Sequence, residues 1–396
     1  MSVSKVVPVK KEECCGCSAC ADLCPKSAIE MKSDEEGFLY PSVNMENCTS
    51  CGLCIENCAF ANKKLPDMPN VLPNCYIAKH RNESVRLNSA SGGIFVACSD
   101  WILEQGGIVY GCVLNQDFVA VHVRAENKNQ RNLMCKSKYV QSNTCKVFPL
   151  VENDLRANLK VLFSGTGCQI DGLLSYLKSK RVNIENLYTM DVICYGCPSP
   201  LLFSDFIMWL KKKYKGNISS FVFRDKKICG WDAHIESAVI SGKKRTGVKW
   251  RDLFYCNLSL RPSCYNCKYS TVQHPADITM GDAWGINQVK PEFDDNRGVS
   301  IFLTNGDKGK ELLQIIKNNC DVEELPLERP FLQRNQSLYS PHKPRGNRDD
   351  FWKTYYEGGI ELLIQKYAKT KIFKKLKAKF RYFKKKLIYG RRYYLP

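Results

Sequence analysis

Eight cysteines near the N-terminus repeat one spacing twice: Cys14, Cys17, Cys20 and Cys24, with Pro25 after the last, then Cys48, Cys51, Cys54 and Cys58. Sulfurs at these intervals let a short turn wrap a cubane, and the bacterial ferredoxin pattern for a [4Fe–4S] cluster has the same intervals. In that pattern three cysteines of a run hold one cluster and the fourth crosses to the other. The expected ligands are therefore Cys14, Cys17, Cys20 and Cys58 for one cluster, and Cys48, Cys51, Cys54 and Cys24 for the second. Structural zinc would want one set of four ligands from two Cys-x-x-Cys pairs, not two interleaved sets. Cys15 lies outside the spacing and reads as a spare thiol. The chemistry of this segment is electron transfer.

Further cysteines are grouped. Cys194 and Cys197 follow an apolar run, and Cys168 opens an amphipathic stretch. Cys264 and Cys267 stand in a polar loop whose neighbours Arg261, Pro262, Asn266 and Lys268 read as exposed. Soft thiolates from separate loops can assemble around zinc or a third iron–sulfur cluster. Cys98, Cys112, Cys135, Cys145, Cys229, Cys256 and Cys320 read instead as buried, unreactive thiols. Ser164-Gly165-Thr166-Gly167 separates a strand-like run from the Cys168 stretch. Strand, glycine turn and helix together offer backbone N–H groups and a positive helix end to a flavin or nucleotide phosphate. The same helix end would stabilise a Cys168 thiolate. Lys136 and Lys138 could pin a phosphate or polarise a carbonyl. Asp277 and Asp282 flank the strand-like Ile278-Thr279-Met280, and Asp282 reads as a flavin ribityl contact or as a turn cap. The five histidines form no metal-ligand spacing, and the chain carries no Walker loop or hydrolase motif, which disfavours phosphoryl transfer and hydrolysis.

The elements that must position these groups follow from the breaks in the pattern. Residues 1–64 form the dicluster module, with 31–45 as a hairpin-like link between its halves, and Pro66, Pro69 and Pro73 stiffen a linker over 65–74. The body over 75–340 opens with Ser91-Gly92-Gly93, which starts a helix running to about residue 103 that Gly106-Gly107 closes. Residues 108–114 and 118–124 read as a hairpin, 160–163 and 187–194 as buried strands, and Ser199-Pro200 as the cap and first turn of a helix. Alternation of strands and helices predicts a largely parallel or mixed sheet covered by helices, so the expected class is α+β, a small ferredoxin-like domain followed by an α/β body.

Among 396 residues there are 22 cysteines and a formal net charge of +19. The opening residues lack an apolar signal core, and no apolar run reaches the length of a membrane span, so a cytoplasmic chain with reduced thiols is expected. From Lys366 onward there are 13 Lys or Arg and no Asp or Glu. Ile372, Phe373, Leu376, Phe380, Phe383 and Leu387 recur there at three- and four-residue steps, so the tail over 341–396 reads as a basic amphipathic helix for an anionic membrane face or an acidic partner. Nucleic acid ranks last, since nothing in the body resembles a base-reading module.

Six blocks in order carry a resemblance. They are Lys136-Ser137-Lys138-Tyr139-Val140, Gly165-Thr166-Gly167-Cys168-Gln169, Asp191-Val192-Ile193-Cys194-Tyr195-Gly196, Phe223-Arg224-Asp225-Lys226, Cys264-Tyr265-Asn266-Cys267, and residues 276–285 from Ala276 to Gly285. With the cysteine runs they resemble the beta subunit family of coenzyme F-420 hydrogenases and dehydrogenases. The resemblance implies a flavin-dependent oxidoreductase with FAD in the body and iron–sulfur clusters feeding or draining it. It also implies that Cys168, Cys194, Cys264 and Cys267 ligate an additional cluster beside the flavin. The chain has Gly167 where proline is usual and Tyr195 where histidine is usual. Losing that imidazole removes a proton donor or a substrate contact. The implied substrate is a deazaflavin coenzyme or a precursor in a polysaccharide-type pathway. The implied partner is a ferredoxin-like protein or a reduced deazaflavin donor, because no nicotinamide site is recognisable. The other class of reading is a non-catalytic subunit that only relays electrons to a partner enzyme.

Overall fold

The structure, a computed structural model, describes residue 7 and residues 10–62, 73–327 and 334–368. The N-terminal module holds an antiparallel hairpin of β1 (Ile29–Ser33) and β2 (Leu39–Val43), which begins two residues before the expected link and otherwise falls within it. Its turn is closed by Asp34, whose carboxylate accepts from the Glu36 and Phe38 N–H groups. Gly37 sits at φ +82°, and a Cβ there would lie 2.3 Å from Leu201 Cβ of the body.

The body is built on an eight-stranded sheet. Its strands are β3 (Asn74–His80), β4 (Ile108–Leu114), β5 (Ala120–Ala125), β6 (Val161–Thr166) and β7 (Leu187–Val192), with three more contributed later in the chain. A separate three-stranded sheet comprises β8 (Ile218–Val222), β9 (Ser237–Ile240) and β10 (Lys243–Thr246); β11 (Ile278–Asp282), β12 (Ser300–Thr304) and β13 (Cys320–Leu325) then return to the large sheet. The spatial order is β13-β3-β12-β11-β7-β6-β4-β5. The pairs β11–β7, β7–β6 and β6–β4 are parallel, and those towards either edge are antiparallel, so the sheet is mixed. The hairpin expected over 108–124 is β4–β5; Asn115 closes its loop by accepting from the Asp117 and Val119 N–H groups.

Helices cover both faces. Helices Ile94–Glu104 and Gly306–Asn319 bury Ile94, Ile102, Leu312 and Ile316 against one face. Helices Val147–Arg156 and Gly167–Ser179 bury Phe148, Val151, Ile170, Leu173 and Leu177 against the other, where Ala19 and Leu23 of the module join the same core. Apolar residues three and four apart explain both pairs, since those positions share a helix face. Ser199 caps helix Pro200–Tyr214 as its sequence predicts, accepting from the Leu202 N–H at 3.1 Å. Part of the segment read as tail is helix Arg348–Tyr367, whose Phe351, Trp352, Ile360, Leu363 and Ile364 lie in the core with Leu202 and Phe206. The stripe from Ile372 to Leu387 lies outside the described residues. Among the described residues no helix is long and apolar enough to cross a membrane.

The module is docked on the body by buried contacts. Arg348 pairs with Glu36 through both terminal nitrogens, and Ser199 Oγ donates to the Glu36 carbonyl. Lys268 donates to the Phe60 and Ala61 carbonyls, Ser175 to that of Asn57, and Thr144 to that of Cys17. At Gly172 a Cβ would stand 2.8 Å from Cys17 Sγ, so glycine lets the first cysteine run press onto helix Gly167–Ser179.

Candidate functional site

A cavity of about 510 Å³ lies over the C-terminal ends of the parallel strands. That is where open α/β sheets place ligands, because helix starts and connecting loops converge there. The volume is within the range of cofactor and small-molecule sites. Four of the six resemblance blocks line it directly: Lys136–Val140, Gly165–Gln169, Val192–Gly196 and Met280–Trp284 each contribute residues. The block from Phe223 supports it from behind. Arg224 pairs with Asp282 Oδ2 at 2.5 Å, and Trp231, stacked on Trp284 at 5.1 Å, donates to Asp282 Oδ1 at 2.7 Å. Lys226 donates to the Arg86, Ser91 and Arg297 carbonyls and so holds the loop before helix Ile94–Glu104.

Two helix starts reach the cavity. At the one expected from sequence, Ser164, Gly165 and Thr166 line the wall, whereas Gly167 packs on Asp191 and Tyr269. Gln169 completes a capping box: its Oε1 accepts from the Thr166 N–H at 3.0 Å, so that donor is already engaged. The sequence marks the second start only as the opening of a helix. Ser89, Ala90, Ser91 and Gly93 line the cavity, and Gly93, at φ +93°, caps helix Ile94–Glu104 without a side-chain bond. A Cβ on Gly92 would lie 2.2 Å from the Ala78 carbonyl oxygen, so only glycine lets this loop approach the sheet. The Gly92 N–H is taken by Ser300 Oγ at 2.9 Å, but no side chain caps the first turn of helix Ile94–Glu104, whose N–H groups suit an anion.

The remaining predicted residues divide. Lys136, at φ 72°, brings a half-buried ammonium to the wall, and burial lowers its pKa. Lys138 also lines the cavity, but its ammonium donates to the Leu133, Met134, Cys135 and Lys136 carbonyls at 2.7–3.2 Å, which saturates its three protons and clamps the loop. Asp282 is at the rim with both oxygens bonded as described. Asp277 is at the opposite end of β11, accepting from the Thr189 N–H and Oγ at 2.7 Å, and does not line the cavity. The strand's rise carries the two carboxylates apart.

Three groups at the wall, Phe254, Tyr255 and His342, lie outside every sequence block. Tyr139, Phe254, Tyr255, Tyr195 and His342 form an aromatic flank, with Tyr139 stacked on Phe254 at 4.9 Å. His342 stacks on Tyr195 at 3.6 Å, and its Nε2 is 3.1 Å from Ser337 Oγ. Burial lowers its pKa to about 4, so the ring is neutral near pH 7. An imidazole thus stands against Tyr195, supplied from a residue 147 positions later in the chain. Below the Gly167 turn, His274 Nδ1 lies 2.7 Å from Asp191 Oδ2, with both side chains buried.

The cysteines fall into three groups. Cys24, Cys48, Cys51 and Cys54 line one small cavity in the module, the set expected for one cluster, and Cys51 is exposed. Cys20 is raised well above the usual thiol range by burial and by Cys17, Cys14, Cys58 and Cys54 nearby, which places the other expected set together. In the body, Cys267 is raised by burial and by the neighbouring Cys264, Cys168 and Cys194, so the four body cysteines also converge. Among the described residues no group of three or more His, Cys, Asp or Glu side chains could hold a metal ion.

Two further thiols join the groups into a line. Cys15, the spare thiol of the sequence, is buried in one cluster with Cys17 and Cys168. The Cys197 thiol lies beside Cys194 and Cys264, its N–H points at Cys264 Sγ at 3.4 Å, and it lines the cavity with Cys194. The loop expected to be exposed is so only in part: Arg261 is 1% exposed and Pro262 is buried, whereas Lys268 is half-buried and Asn266 exposed. Arg261 is covered because it reaches into the module, which packs over this loop.

Residues 158–329 match the family described as the C terminus of the beta subunit of coenzyme F420 hydrogenase/dehydrogenase, and residues 13–62 match the 4Fe-4S dicluster domain. Over 42 residues (11% of this chain) the sequence is 40% identical to the ferredoxin-type protein NapF of Haemophilus influenzae, spanning 24% of that protein. Over 50 residues (13% of this chain) it is 38% identical to an uncharacterized ferredoxin of Methanocaldococcus jannaschii, spanning 64% of it. A chain in the structure of the F420-reducing [NiFe] hydrogenase complex from Methanosarcina barkeri aligns with a TM-score of 0.46 and 14% identity, covering 72% of this chain and 94% of that one. Both cysteine runs fall inside the dicluster match and the cavity-lining blocks from Gly165 onward inside the other, so the chain joins an N-terminal 4Fe-4S dicluster domain to a part that matches the C terminus of the coenzyme F420 hydrogenase/dehydrogenase beta subunit.

Proposed function

We propose that the chain is an iron–sulfur flavoprotein oxidoreductase that exchanges electrons between its clusters and a small substrate at the 510 Å³ cavity. The observation that carries this reading is the sulfur line, which starts at the module and ends with Cys194 and Cys197 in the cavity wall. In this reading Cys168, Cys194, Cys264 and Cys267 hold a third [4Fe–4S] cluster, and FAD occupies the cavity. The uncapped start of helix Ile94–Glu104 and the Lys136 ammonium suit its phosphates, and the Tyr139, Phe254 and Tyr195 rings suit a flat ring system. Bound there, a flavin supplies the conversion between single electrons from clusters and the two-electron chemistry of a substrate. His342 offers a neutral imidazole for proton transfer, Asp282 fixes Arg224 and Trp231 beneath the rim, and Lys138 holds the loop that presents Tyr139. A deazaflavin coenzyme or a precursor in a polysaccharide-type pathway fits the aromatic flank as substrate. A ferredoxin-like donor fits the exposed second cluster site. The basic segment after Lys366 would hold the protein at an anionic membrane face.

Anaerobic purification tests the cofactor set directly. Three clusters give about twelve irons per chain and two give about eight. Cys264→Ser with Cys267→Ser should remove about four irons and leave the module's signal. Cluster-replete protein without flavin would sink the flavoenzyme reading and favour a relay subunit.

A further inference from the structure

Arg261 begins the turn Pro262–Asn266 that carries Cys264, yet its side chain runs out of the body and into the module. Nε donates to the Cys14 carbonyl at 2.7 Å. One terminal nitrogen lies 3.5 Å from Cys14 Sγ and donates to the Leu39 carbonyl at 2.9 Å, and the other donates to Gln141 Oε1 at 3.0 Å. Gln141 in turn donates to the Cys15 carbonyl at 2.9 Å. The backbone of the same residue serves the body cysteines. Its N–H donates to the Cys197 carbonyl and its carbonyl accepts from the Cys264 N–H, both at 2.9 Å. The module is shaped to admit the guanidinium: a Cβ on Gly16 would lie 2.7 Å from it, and the Tyr40 ring packs on it at 4.1 Å.

These partners are carbonyls, an amide oxygen and a sulfur, so among the described residues no carboxylate is bonded to this buried cation. A buried charge without an opposite charge is strongly disfavoured. A [4Fe–4S] cube held by four thiolates is a net anion and gains one more negative charge on reduction. A cation at its edge therefore favours the reduced state, as do hydrogen bonds to the ligand sulfurs.

The geometry points to Arg261 as a shared counter-charge that raises the reduction potential of the cluster on Cys14 and its partners together with that of the body cluster on Cys264. The step it supports is transfer of one electron from the module cluster, which is oxidised, to the body cluster, which is reduced, with no bond broken. The reverse transfer uses the same contacts. Arg261 is a positioning residue, since it acts through the clusters and does not touch substrate. The inference rests on the proposed third cluster.

The test is an EPR-monitored redox titration of the anaerobically purified full chain, comparing wild type with Arg261→Gln and Arg261→Lys. In Arg261→Gln both cluster signals should move to more negative potentials by a tenfold change in the reduction equilibrium, about 59 mV for a one-electron couple. Arg261→Lys keeps the charge and should stay near wild type. Unchanged potentials in iron-replete Arg261→Gln overturn the proposal, as does a shift confined to one cluster. An equal shift in both variants also overturns it, because shape rather than charge would then be at work. Wild-type iron near eight per chain removes the body cluster on which the proposal rests, a result read before any variant is made and independent of Arg261.

Discussion

His122 lies at the cavity wall with its ring stacked on Phe163, 5.4 Å between centroids, and its Nε2–H donating to the Ser164 carbonyl at 3.0 Å. Its Nδ1 is buried without a partner, and burial lowers the pKa to about 4. An unfolded histidine titrates near 6.5, so the unfolded chain binds a proton first as pH falls. The stabilising contribution of the neutral ring is therefore present above about pH 6.5 and is lost progressively down to about pH 4. His122→Phe removes this linkage and keeps a stacked ring. Going from about pH 7.5 to about pH 5.5, the variant should gain about 1 kcal/mol relative to wild type in denaturant unfolding. A pH-independent difference would mean that His122 takes up a proton in the folded state. Glu236, raised by burial to about 7, acts in the opposite direction in both proteins, which is why the comparison is between variants and not between pH values. Lys138 and Arg261 are both charged side chains that the sequence places in loops, and carbonyls engage both, with Arg261 buried and Lys138 half-buried.

At the scale of elements, helix Gly167–Ser179 has three duties. Its start lines the cavity, Ile170 and Leu173 anchor it to the sheet, and Gly172 carries the module's Cys17. A side chain at Gly172 would overlap Cys17 Sγ, whereas the helix itself would accept most residues there. Gly172→Val should therefore cost about 1–3 kcal/mol through overpacking and remove about four irons by displacing a ligand of the first cluster. Wild-type iron and an unshifted thermal midpoint in this variant would show that the module does not press on the helix. The sequence signalled the helix by its apolar period but held no sign of the glycine's partner, which is more than 150 residues away. Loop Ser89–Gly93 was legible as a helix start for the same local reason, yet its place at the cavity depends on β3, β12 and Lys226 meeting around it.

Across the whole molecule the two cluster sites and the body form one docked assembly, with Cys51 exposed at one end and the cavity at the other. Helix Arg348–Tyr367 belongs to that assembly, since Arg348 grips Glu36 and Leu363 lies in the core. A truncation that removes the basic segment without damaging the core must fall after Ala368, which is itself buried. The full chain should co-sediment with anionic vesicles and be released by high salt, and the truncated chain should remain in solution at any ionic strength. Equal sedimentation of the two would assign the basic segment to a protein partner or to the body itself.

What the sequence determined by itself was local chemistry. The spacing of eight cysteines dictates which backbone turns can wrap a cube of iron and sulfide, and that holds whatever the rest of the chain does. Helix and strand identity in the body follows equally from apolar period and caps, as at Ser199 and in the strand ending at Thr166. Tertiary structure decided which distant pieces meet. It put β3 between β12 and β13, left Asp277 away from the cavity that Asp282 reaches, set His342 against Tyr195, and turned Cys15 and Arg261 from loop residues into contacts between two cysteine groups. Each of these depends on burial and on partners far apart in the chain, and neither period nor spacing encodes contacts at that separation.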